Sequence, residues 1–148
     1  GLFTILNVIS MGVFSYASGH LGDKYGHKTS MFLAYLFHFL AVVLALFLKN
    51  MLTVYCIFIF IGAGQGAFMP SAMNLIYDFA KDKDKKTYMA LIDSFLAPFA
   101  ILFLLGIGFL INQGQFILSF YIIGACLFIS IVLLLFFVKD PGYNKLHI

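Results

Sequence analysis

Five apolar runs fill this chain, each as long as a membrane crossing requires, with only short polar links between them. They cover about residues 1–20, 30–48, 51–79, 88–111 and 116–138. A helix rises about 1.5 Å per residue, so roughly 20 apolar residues cross a hydrocarbon layer of ~30 Å. Lipid offers nothing to an unpaired N–H or C=O, so such a run must satisfy its own backbone as a helix. The fold expected is an all-α integral membrane protein with five transmembrane helices in one bundle over residues 1–148 and no soluble domain. Composition decides one point. With 10% charged residues and a mean hydropathy of +1.04, a chain of 148 residues lacks the polar surface of a water-soluble domain.

Apart from Asp78 and Asp93, charge is confined to the links. The first link is Gly19-His20-Leu21-Gly22-Asp23-Lys24-Tyr25-Gly26-His27-Lys28-Thr29-Ser30, read as a loop over 21–29. Its glycines permit a sharp turn, so the first two spans should lie side by side and antiparallel. Lys49-Asn50 joins the second span to the third, and Asn112-Gln113-Gly114-Gln115 is an uncharged turn. Lys81-Asp82-Lys83-Asp84-Lys85-Lys86 reads as a solvated loop at anionic lipid heads. Lys139-Asp140-Pro141-Gly142 stops the last helix. Lys24, Lys28, Lys81, Lys83, Lys85, Lys86, Lys139 and Lys145 then fall on one side, against Lys49 alone on the other. Cytoplasmic loops collect lysine and arginine, so the 21–29 and 80–87 loops and the C-terminus are expected in the cytoplasm. The net charge of +3 therefore implies no nucleic-acid partner. The sequence opens on Gly1 inside an apolar run, without a basic n-region or cleavage site; no signal peptide is read, and the chain looks truncated.

Polar residues inside the spans carry what chemistry there is. The third span holds Gly62-Ala63-Gly64-Gln65-Gly66-Ala67-Phe68-Met69-Pro70. Gly62 and Gly66 form a small-xxx-small pair that lets two helix backbones approach, and Pro70 gives the helix a reason to kink. Gln65 must find partners or line water, so it either contacts a solute or bonds between helices. Asn74 and Asp78, four apart, share a helical face; Asp78 either pairs with a lysine of the 81–86 run or serves coupling. Asp93, in the fourth span before Pro98, either carries a coupling proton or pairs at the interface. His38, between Phe37 and Phe39, reads as a neutral, hydrogen-bonded packing residue rather than a proton relay. Cys56 and Cys126 read as buried, reduced thiols. His20 and His27 have no third ligand beside them, so no metal site is expected. No nucleophile–base set or phosphate loop is present, so neither an enzyme nor a cofactor is indicated.

The first link resembles the signature after the second helix of each half of major facilitator superfamily transporters, Gly-x-Leu-x-Asp-Arg/Lys-x-Gly-Arg/Lys-Arg/Lys. Gly19, Leu21, Asp23, Lys24, Gly26 and Lys28 match, and His27 stands where a base is usual. The third span is similar to the fourth helix of a transporter half through Gly62, Gly64, Gly66, Pro70, Asn74 and Asp78. The stretch Tyr88 to Pro98 looks like the eleventh helix of bacterial members. It also resembles a weakened antiporter signature at Ala97-Pro98, without the paired glycines, and the fourth-helix arginine of N-terminal halves is missing. The resemblance therefore implies helices eight to twelve of a twelve-helix protein, part of a six-helix bundle; helices two to six are the alternative. It implies a secondary transporter of a small solute by alternating access. Asp23 would latch the N-terminus of a helix in the missing N-terminal six-helix half. Gln65, Met69 and Asn74 would face the solute, Asp93 and Asp78 would serve coupling, and the lipid bilayer of the plasma or inner membrane would surround the protein. A non-transporting sensor or scaffold of the same fold is the rival reading.

Overall fold

The computed structural model describes residues 1–80 and 84–138. It contains α1 (Leu2–Tyr25), α2 (His27–Leu46), α3 (Met51–Ala80), α4 (Lys85–Asn112) and α5 (Phe116–Phe137), with no strand among the described residues. Each helix is long and apolar enough to cross a membrane. The all-α expectation of five spanning helices is met.

Helix ends differ from the apolar runs because hydropathy and helicity are separate properties. α1 continues through Asp23 and Lys24, since solvated charges at a helix end do not break it, and Lys24 lies in the last turn, at the negative end of the dipole. α4 starts at Lys85 rather than 88 because Asp84 caps it. The Asp84 carboxylate accepts from the Lys86 and Thr87 backbone N–H groups at 3.2 and 3.4 Å and from Thr87 Oγ1 at 2.7 Å. The Thr87 side-chain bond, then its backbone bond, holds the Asp84 carboxyl below its ordinary pKa against a small desolvation effect. Asn50 caps α3 likewise through Thr53 N–H at 3.0 Å. Lys81 to Lys83 and the 139–148 tail, with its proposed helix stop, lie outside the described residues.

α1 and α2 are not simply neighbours. α3 packs along both and touches each far more than they touch each other. α5 lies on α2, and α4 makes only light contact with α3 and α5. What lies inside is mostly small: Ala34, Ala41, Ala63, Ala67, Ser10, Ser18, Ser30 and Ser71 are buried, with Leu75 and Leu134 as the large exceptions, while Leu104 and Tyr16 are 69% and 85% exposed. This inverts the soluble pattern and suits a chain whose solvent is apolar. Large side chains are stable in lipid, and helices gain contact only by bringing backbones close. α1 shows the inversion best. Its buried residues are Ser10, Ser18 and Gly22, and Asn7 Nδ2 and Ser10 Oγ donate across to the α3 carbonyls of Phe58 (3.3 Å) and Ile59 (2.7 Å).

Both cysteines are free, as expected, but only Cys56 is partly covered. Cys126 is exposed on α5 because it lies on a face that no described helix covers, so its burial was wrongly expected.

Candidate functional site

The signature segment is almost entirely helical. Gly19, Leu21, Gly22, Asp23 and Lys24 occupy the end of α1, Lys28 lies in the first turn of α2, and Gly26 alone makes the turn between them. The expected loop over 21–29 is thus one residue long. Gly26 takes φ 88° and ψ 148°, which only a residue without Cβ adopts readily, and its N–H bonds Gly22 O at 2.9 Å. Thr29 Oγ1 donates to Tyr25 O at 3.1 Å, satisfying a carbonyl that the end of α1 would otherwise leave open. Gly22 is closed in by α2: a Cβ there would press on the His27 ring and lie 3.4 Å from Ser30 Oγ. Around Gly19 nothing lies within 4 Å.

The charged members of the segment face different ways. Asp23 is exposed and makes no hydrogen bond or ion pair among the described residues. Lys24 Nζ sits 5.1 Å from the Tyr25 ring centroid. Lys28 Nζ donates to Leu135 O at 2.9 Å, in the last turn of α5. A cation there meets the orphan carbonyls and the negative end of the dipole, so the segment also ties α2 to α5.

In α3 the glycines alternate in function. Gly62 and Gly66 face α1, where a Cβ would run into the backbone of Asn7 and of Met11 and Ser15. Gly64, on the opposite face, lies under the His38 ring of α2. His38 Nδ1 is 2.8 Å from Ala34 O, an acceptor only, so Nδ1 carries a proton and Nε2 is left to face other groups. Between these clasps Gln65 is exposed, and its amide makes no hydrogen bond among the described residues. It lines a cleft of about 320 Å³ between α2, α3 and α5, with His38, Ala41, Val42, Ala45, Ile57, Ile61, Phe120, Ile123 and Leu127. Gln65 and His38 are its two hydrogen-bonding side chains in an otherwise apolar wall.

A sequence profile of the Major Facilitator Superfamily matches residues 1–147. The chain belongs to the major facilitator superfamily. No curated protein and no solved structure matches it. Membership makes it part of a family of membrane transporters, whose members move small solutes and are not in general enzymes.

In this superfamily member Asn74, Asp78 and Asp93 do not converge on Gln65, whereas Met69 shares its side of α3. Met69, one turn along α3, is 63% exposed. Asn74 is nine residues from Gln65, which at 100° per residue is half a turn round the helix, and it is partly buried. Asp78 shares Asn74's side of α3 and pairs with neither Lys85 nor Lys86; Lys85 Nζ instead stands 5.7 Å from the Tyr77 ring centroid. Asp93 is exposed on α4, which buries none of its residues. The sequence reading missed the approach of His38 to the Gln65 cleft, the Lys28 contact with α5 and the Asp84 cap. The cap had a local signal, an Asp three residues before a Thr at a helix start. The other two are contacts between helices, which spacing along one helix does not encode.

Proposed function

We propose that this chain is part of a secondary active transporter for a small solute, working by alternating access in the plasma or inner membrane. Family membership supports the class. The observation that carries the site is the Gln65 amide, without a hydrogen bond among the described residues, at a cleft whose wall is otherwise almost wholly apolar. A hydrogen-bonding group left free in lipid surroundings is costly unless something polar visits it, and a solute is such a visitor. Gln65 and Met69 form the solute-facing pair. Asp23 is the latch to a helix of a second six-helix half, and the chain corresponds to helices eight to twelve. The Gly26 turn, the 80–87 link and the C-terminus face the cytoplasm, on the strength of their lysines. Asp93 and Asp78 are the candidate carriers of a coupling proton.

The test uses vesicles containing the whole protein and a panel of labelled small solutes. Wild type should accumulate at least one of them. Losing one hydrogen bond to a solute costs about 0.5–1.5 kcal/mol, so Gln65→Leu should reduce its uptake by up to about tenfold at unchanged expression. Unchanged uptake would remove Gln65 from the site. Asp93→Asn should abolish uphill accumulation while leaving downhill exchange, and a variant that still accumulates solute would clear Asp93 of coupling.

A further inference from the structure

Proline within a helix withholds a backbone donor. Pro70 of α3 has no N–H, so the carbonyl four residues earlier, on Gly66, loses its helical partner. In a bilayer water does not replace it. Gly66 is also one of the two glycines, with Gly62, against which α1 packs its backbone, since a Cβ on it would collide with Met11 O and lie 2.9 Å from Ser15 N. The freed carbonyl and a close approach of the neighbouring helix coincide at one residue.

α1 brings a hydroxyl to that point. Ser18, 3% exposed, has its Oγ 3.4 Å from Gly66 O and 3.2 Å from Ser15 O of its own helix. The backbone of Ser18 is held in turn from α2, where the fully buried Ser30 donates its Oγ to Ser18 O at 2.8 Å. Pro98 in α4 provides the contrast: it frees the Ser94 carbonyl, and no side chain among the described residues donates to it.

We propose that Ser18 is the substitute donor for Pro70. Its hydroxyl supplies the hydrogen bond that proline takes from Gly66, and Ser30 holds it in place. It is therefore a positioning residue for the turn of α3 that carries Gln65 and Met69. The inference rests on bonding alone and stands whether or not Gln65 meets a solute.

The test uses the whole protein, purified in detergent, and the temperature at which half of it is no longer monodisperse. Threonine and valine have the same shape, so Ser18→Thr and Ser18→Val differ only in the hydroxyl. Ser18→Thr should melt well above Ser18→Val. In a Pro70→Ala background, where residue 70 regains its N–H, most of that gap should close. Ser71, 1% exposed and one residue past the proline, has a hydroxyl with no partner among the described residues, so Ser71→Ala should not lower the midpoint. Equal midpoints for the Thr and Val variants would overturn the proposal. So would a gap that persists undiminished in the Pro70→Ala background.

Discussion

Gly66→Leu should leave no monodisperse protein after extraction, and Gly62→Leu should do nearly as much damage. At each position the obstacle to a side chain is the main chain of α1, at Met11 and Ser15 for Gly66 and at Asn7 for Gly62. A flexible side chain can swing aside, but here two helix axes must separate. Separation also breaks the bonds of Asn7, Ser10 and Ser18 to α3 carbonyls, each worth about 0.6 kcal/mol in a membrane interior. Adding overpacking of about 1–3 kcal/mol gives a loss of roughly 3–5 kcal/mol. Gly106→Ala and Gly108→Ala are the controls, because both glycines have nothing within 4 Å. If these two variants fall as far as Gly66→Ala, the effect belongs to glycine in general and the α1–α3 approach is not its cause.

The second large effect is at Gly26. A φ of 88° with ψ of 148° lies outside even the left-handed helical region that asparagine tolerates. Gly26→Ala and Gly26→Asn should therefore cost alike, about 1–3 kcal/mol each. The signature's glycines then rank by surroundings. Gly19→Ala should leave the melting midpoint unchanged, and Gly22→Ala should cost an intermediate amount, because the His27 ring can shift. A midpoint for Gly26→Asn close to wild type would mean that the joint relaxes to an ordinary left-handed turn, and the single-residue link would be wrong. Thermal midpoints of the whole protein in detergent measure the series.

Much of this was legible along the chain. Apolar length alone located five helices, and the spacing of Gly62 and Gly66 foretold a close helix approach. The extent of the helices was less legible: Asp23, Lys24 and Lys85 are polar, and polarity marks where lipid ends rather than where the hydrogen-bond ladder ends. The family resemblance puts Asn74 with Gln65 and Met69 on a cavity-lining span, whereas nine residues place Asn74 and Gln65 on opposite sides of the helix. That separation is legible from spacing alone. The meeting of His38 with Gln65, or of Lys28 with the end of α5, depends on how helices cross. No periodicity within one helix carries that information.

The small-residue interior bears on how such a chain can drift over generations. In a soluble protein the bulky core is held constant and the surface varies. Here the outward positions, such as Ile5, Leu91, Phe95 and Leu104, need only remain apolar, and many residues meet that demand equally well. The inward ones, Gly62, Ala63, Gly66, Ala67, Ser18 and Ser30, have almost no acceptable replacement, because each is already near the least volume a residue can have. Lineages of this chain would then part company in their largest side chains first and in their smallest last.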